Sequence, residues 1–142
     1  MSGKPLVVET GSEEGTSRAA ASFAATLQPG AVVLLTGDLG AGKTAFVRGM
    51  AQGLGLDPDD VSSPTFTLVQ EYRGGTRTLY HVDLYRLESG EAEDLGLEEL
   101  GQGGGIVAIE WAEKLAEEIP GAVRVDIEDL GEDRRRIRIA GA

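Results

Sequence analysis

The segment Gly37-Asp38-Leu39-Gly40-Ala41-Gly42-Lys43-Thr44 constrains this chain more than any other stretch. It satisfies the pattern G-x-x-x-x-G-K-[ST] of a phosphate-binding loop. Glycines at this spacing let consecutive backbone N–H groups turn inward around phosphate oxygens. A lysine in the seventh position is expected to reach the β and γ phosphates, and the hydroxyl after it to ligate Mg²⁺. The context agrees with the motif. Ala31 to Thr36 (AVVLLT) is a continuous apolar run of the kind that forms a strand buried on both faces of a parallel sheet. An apparent helix runs from Lys43 to about Leu54 and brings its positive dipole end to the loop. The expected nucleotide-binding residues are therefore Asp38, Leu39, Gly40, Ala41, Gly42, Lys43, Thr44 and Ala45.

The remaining segments predict an α/β fold. It is a single domain over residues 1–142, with a mixed, mostly parallel sheet flanked by helices and carrying antiparallel hairpins. Leu6 to Val8 reads as an edge strand. Ser12 to Leu27 reads as a helix capped by Ser12, with Glu13 and Glu14 in its first turn and Ala19, Phe23 and Leu27 on its apolar face. Thr67 to Tyr72 and Thr76 to Tyr85 flank Arg73-Gly74-Gly75, a hairpin signal. Glu88 to Leu100 predicts one or two short helices, and Gly103-Gly104-Gly105 a turn or hinge. Ile106 to Ile109 is a second buried strand that ends in Glu110. Trp111 to Ile119 predicts a helix stopped by Pro120-Gly121. Val123 to Ile127 and Arg136 to Ile139 predict a hairpin that turns around Leu130-Gly131.

A Mg-nucleotide site also needs a carboxylate at the C-terminal end of a neighbouring strand. Two positions qualify. Glu110 follows the apolar run Ile106-Val107-Ala108-Ile109, the cleaner strand signature. Asp83 shares one strand face with His81 and Tyr85, opposite Val82 and Leu84. The competing readings are a surface carboxylate or helix cap for Glu110, and a solvent-facing hairpin for Asp83. Ser62-Ser63-Pro64-Thr65-Phe66-Thr67 reads as a Pro-containing turn, or as a segment ordered by a γ-phosphate. Trp111 is a packing residue, an adenine-stacking residue or a partner anchor. Arg48 and Arg86 read as phosphate-neutralising or solvated arginines. Arg134, Arg135, Arg136 and Arg138 form a basic cluster, read as an RNA or partner contact or as the exposed face of a protected edge strand.

Composition removes several function classes. The 142 residues carry 13 basic and 24 acidic side chains, a net charge of −11, which argues against a stand-alone nucleic-acid binder. Cysteine is absent, so there is no disulfide partner, no thiol chemistry and no Cys-ligated zinc, and a reducing compartment fits. Asparagine is absent too, which excludes the Asn-Lys-x-Asp motif that reads guanine. No apolar run approaches the length of a membrane span, and Met1 to Thr10 is no signal peptide. A cytoplasmic protein without a membrane partner is expected.

Taken together, the segments resemble the TsaE (YjeE) family. The matching pieces are Gly37 to Thr44 (GDLGAGKT), Phe46-Val47-Arg48-Gly49, Ser63-Pro64-Thr65-Phe66 (SPTF), His81 to Arg86 (HVDLYR) and Ile109 to Glu113 (IEWAE), spread from about residue 12 to residue 115. Ala112 stands where relatives often carry proline. The resemblance implies an ATPase that binds ATP or ADP with Mg²⁺ and hydrolyses ATP slowly. It implies a requirement for the threonylcarbamoyl modification of adenosine next to the anticodon of tRNA. The family acts with the partner proteins TsaD and TsaB, which hold the tRNA. By the same resemblance Lys43, Asp83 and Glu110 are catalytic, and Thr44, Glu110 and Asp83 lie at the metal. Ser63, Pro64 and Thr65 form a switch, and Trp111 contacts nucleotide or partner. The resemblance leaves the division of labour between Asp83 and Glu110 open. Two other readings of the phosphate motif are a small-molecule kinase and a non-catalytic nucleotide-dependent switch.

Overall fold

Two parallel strands set the frame of the molecule, described in a computed structural model over residues 6–37, 42–61, 69–85, 96–115 and 119–141. β2 (Val32–Thr36) and β5 (Ile106–Glu110) are the two apolar runs bounded by turn residues, and they pair in parallel, Leu34 opposite Ile109 and Leu35 opposite Glu110. Every residue of β5 is buried. Among the described residues five more strands complete the sheet around this pair. The four central strands β6 (Val123–Gly131), β2, β5 and β4 (Leu79–Asp83) are parallel. Both margins are antiparallel: β3 (Val69–Tyr72) on β4, and β1 (Leu6–Thr10) on β7 (Arg134–Ala140) on β6.

The side chains of the central strands alternate between two apolar clusters, as a sheet covered on both faces requires. Val33, Leu35, Leu79, Ile106, Ala108 and Val125 meet α1 (Glu13–Ala25) and α2 (Lys43–Gly53) on one face. Val32, Leu34, Val82, Leu84, Val107 and Ile109 form the other, closed by Leu97 and Ala112.

α1 begins as its sequence dictates. The Ser12 hydroxyl accepts the Gly15 N–H at 3.0 Å, and Glu13 and Glu14 occupy the first turn. The buried stripe is Thr16, Ala20 and Ala24, one position beyond Ala19, Phe23 and Leu27, which are only partly buried. The shift has a cause on α2. A Cβ on Gly49 would lie 2.3 Å from the Ser17 carbonyl oxygen, and one on Gly53 would lie 2.3 Å from that of Ala21. The helices touch backbone to backbone there, so small residues centre the contact.

Three sequence expectations change. Trp111 to Ile119 does not begin as an α-helix. Trp111 has φ 61°, in the left-handed region, and only a 3₁₀ turn over Ala112–Lys114 follows before Leu115 becomes extended. The last hairpin turns at Glu132 and Asp133, both at positive φ (54° and 65°), rather than at Leu130-Gly131. Two successive left-handed residues match a twist-compatible two-residue turn. Third, β7 is not an edge strand, because β1 covers it. Of the expected helices over Glu88 to Leu100, the described part is a 3₁₀ stretch over Leu97–Gly103, ended by Gly104 at φ 97°. No helix among the described residues is long and apolar enough to cross a membrane.

Candidate functional site

The start of α2 meets the C-terminal ends of β4 and β5. Gly42, at φ 104°, forms the N-cap of α2, a conformation natural to glycine, so Lys43 and Thr44 are the first helical residues. The β4–β5 register places Asp83 directly opposite Glu110. The ladder continues one step further, where the Leu84 N–H donates to the Glu110 carbonyl at 3.1 Å. All three charged side chains at this junction are buried: Lys43 is 5% exposed, Asp83 8% and Glu110 3%. Buried charges are rare unless partnered, so the junction is a built site rather than a surface.

The Thr44 hydroxyl donates to Glu110, 3.2 Å from Oε1 and 3.1 Å from Oε2. His81 Nε2 bonds the same carboxylate through Oε2. Asp83 Oδ1 accepts the Tyr85 N–H at 2.9 Å, a local turn that fixes this carboxylate where the strand ends. Lys43 Nζ donates to the Gly37 carbonyl and sits 3.6 Å from the centre of the Trp111 ring. Trp111, whose backbone is left-handed at φ 61°, thus gives the ammonium a cation–π contact. Tyr85 supports it, with ring centroids 5.0 Å apart.

Five sequence-predicted residues therefore converge: Lys43, Thr44, Asp83, Glu110 and Trp111. Asp83 and Glu110 do not belong to a solvent-facing hairpin or a helix cap; both are held at strand ends. Gly42 and Ala45 lie on the other side of the helix start. With Glu13, Thr16, Asp133 and Arg135 they line a cavity of about 180 Å³. Asp38, Leu39, Gly40 and Ala41 lie outside the described residues, as do Ser63, Pro64, Thr65 and Arg86. Arg48 has a structural task, donating to the Val61 carbonyl at 3.0 Å and reaching Glu13 at 3.9 Å. The arginines of β7 are also engaged: Arg135 with Asp129 at 3.0 Å, Arg136 with Glu128 at 3.2 Å and Arg138 with Asp126 at 3.8 Å.

Sequence reasoning missed two features. His81 was placed beside Asp83 on one strand face, but its reach across the register to Glu110 was not anticipated. The signal was the alternation itself. The readings of Arg135 as an RNA or partner contact or as part of an exposed strand face did not bring it to the start of α2, yet its Nε lies 3.5 Å from where a Cβ on Gly42 would stand.

The donor set suits a hard divalent cation. A hydroxyl and a carboxylate are oxygen ligands, and Mg²⁺ characteristically takes one or two such protein groups and completes its shell with water and phosphate. Among the described residues no group of three or more His, Cys, Asp or Glu side chains forms a protein-only metal cage.

Comparison with known proteins gives one answer. The family model described as "Threonylcarbamoyl adenosine biosynthesis protein TsaE" matches residues 10–137. A Bacillus subtilis protein named tRNA threonylcarbamoyladenosine biosynthesis protein TsaE is 45% identical over 135 residues, 94% of this chain and 84% of its own length. The Treponema pallidum protein of the same name is 43% identical over 131 residues, 91% of this chain and 96% of its own. The crystal structure of Bacillus subtilis YdiB superposes with a TM-score of 0.80 at 38% identity, covering 99% of this chain and 87% of that one. The mixed α/β architecture, the site at the strand ends and these matches agree: the chain belongs to the TsaE family of threonylcarbamoyl adenosine biosynthesis proteins.

Proposed function

We propose that this protein is a cytoplasmic ATPase, weak alone, that serves threonylcarbamoyladenosine formation in tRNA together with TsaB and TsaD. One observation carries the reading. Lys43 and Thr44, the last two residues of a phosphate-loop motif, open α2 against a buried carboxylate, with the Thr44 hydroxyl 3.1–3.2 Å from both Glu110 oxygens. A hydroxyl and a carboxylate so placed serve a Mg-nucleotide better than they serve packing, because burying them costs desolvation.

The roles follow from position. Lys43 would leave the Gly37 carbonyl and the Trp111 ring to neutralise the β and γ phosphates of ATP. The N-terminus of α2 would add its dipole. Thr44 and Glu110 would hold Mg²⁺, which when bound supplies charge stabilisation to the transferring phosphoryl group. Asp83, opposite Glu110 in the register, would orient or deprotonate the water that attacks the γ-phosphorus and expels ADP. Trp111 would contact nucleotide or partner, and the segment around Ser63 to Thr65 would respond to the γ-phosphate.

The test is phosphate release from ATP, with the protein alone and with TsaB and TsaD added, against Lys43→Ala. Slow basal release, stimulation by the pair and loss of both in the variant are expected. Tight nucleotide binding with no turnover under any condition would move the assignment to a nucleotide-dependent switch.

A further inference from the structure

His81 has no part in the scheme above, yet it is the most completely buried ionisable side chain of the site, at 0% exposure. Its position is set by the sheet. In the β4–β5 register His81 stands opposite Ala108, one pleat before the pair Asp83–Glu110. His81 and Glu110 are thus diagonal neighbours on one face, within reach of long side chains.

The two ring nitrogens are treated differently. Nε2 is bonded to Glu110 Oε2. Nδ1 is buried and has no hydrogen-bond partner among the described residues. An apolar side chain would fill this position without leaving a buried nitrogen unsatisfied. The feature that an apolar residue would not reproduce is the Nε2 contact. With the proton on Nε2, Glu110 accepts there from His81, and on the side facing α2 from Thr44. Two donors on two sides fix the rotation of one carboxylate. Groups that hydrogen-bond a metal-ligating carboxylate from behind orient it and tune its affinity.

We infer that His81 is a positioning residue that, with the proton on Nε2, locks the Glu110 carboxylate in the orientation that receives the Mg²⁺ of a Mg-nucleoside triphosphate. The inference rests on the Mg-nucleotide reading of the site and adds the element that presets it. His81 touches neither phosphate nor metal.

The experiment is calorimetric titration with a non-hydrolysable ATP analogue at stepped Mg²⁺ concentrations and in EDTA, on wild type, His81→Phe and His81→Gln. Phe keeps the ring volume without a donor; Gln places an amide N–H near the reach of Nε2. The expected result is a Mg²⁺ requirement raised by about 10- to 100-fold in His81→Phe, with most of the loss restored in His81→Gln. Affinity for the analogue in EDTA should stay within about 2-fold, since Lys43 and the helix N-terminus are untouched. An unchanged Mg²⁺ requirement in folded His81→Phe, or equal losses in Phe and Gln, would overturn the inference. Should His81→Phe fail to fold, His81→Asn takes its place, because its amide is too short to reach Glu110; Asn behaving like Gln would overturn it equally. Wild-type protein that binds the analogue with no dependence on Mg²⁺ would bring down the Mg-nucleotide reading itself, and this inference with it.

Discussion

Thr44 and Glu110 are joined across the molecule, 66 residues apart in sequence, by a hydroxyl that lies 3.2 Å from one carboxylate oxygen and 3.1 Å from the other. One residue opens a helix and the other ends a strand, so the contact exists only when α2 and β5 are docked. Thr44→Val keeps the shape and removes the oxygen. Its Mg-dependent ATP affinity should fall by about 100-fold, near the upper end for groups that hold or orient a metal. Nucleotide affinity in EDTA should change little. Titration at fixed Mg²⁺ checks this.

Lys43 rests on the only tryptophan of the chain. Moving the ammonium onto phosphates must give up a contact worth about 0.5–2 kcal/mol. Trp111 emission should therefore change when Mg-ATP is added. In Lys43→Ala the starting emission should already differ from wild type, and the response to nucleotide should be largely lost. A variant that responds as wild type does would separate Trp111 from the lysine.

The backbone contact between α1 and α2 makes two glycines irreplaceable for steric reasons. In Gly53→Ala the new methyl would meet the Ala21 carbonyl oxygen at 2.3 Å, a distance no side-chain rotation relieves. Destabilisation of about 1–3 kcal/mol is expected from overpacking, even though alanine favours a helix. Gly74→Ala is not a fair control because its φ is 111°; Gly11→Ala, with open space around it, is. Denaturant midpoints of the two variants check the contrast.

The turn of the last hairpin holds Glu132 and Asp133 at positive φ without a glycine between them. Replacing this pair with Asn-Gly should stabilise the protein by about 0.5–1 kcal/mol, because those residues adopt the turn at less cost. A rise in Tm is the expected result.

Much of this was legible in the sequence because it is local. Ala31 to Thr36 and Ile106 to Ile109 are apolar runs too short for buried helices, and they became the central parallel pair. Ser12 announced its helix through a capping hydroxyl. The site was legible where a motif fixes spacing, at Lys43 and Thr44, and where a strand ends on a carboxylate, at Asp83 and Glu110. What failed depends on partners distant in sequence. The buried stripe of α1 moved by one residue because Gly49 and Gly53 admit the backbone of α1 at Ser17 and Ala21. In place of the expected helix start stands Trp111 in the left-handed region, with its indole under the Lys43 ammonium, a tertiary contact no window of sequence contains. The edge position expected for the arginine strand failed because β1, from the other end of the sequence, pairs with β7 and supplies Glu9 to Arg136, while Arg134 and Arg138 stay exposed.

The strand order also dictates when the phosphate-loop motif acquires its support. β2, which leads into it, gains no sheet neighbour until Ile106 to Glu110 has been made, and its second flank stays open until β6 follows. Until β5 is made, a nascent chain thus carries a largely apolar strand with both edges unpaired, a species prone to wrong pairing. Native β2 edges close through contacts that span most of the chain, which slows folding. Any truncation that spares the entire glycine-rich motif but ends before β6 therefore leaves at least one edge of the motif's own strand unpaired.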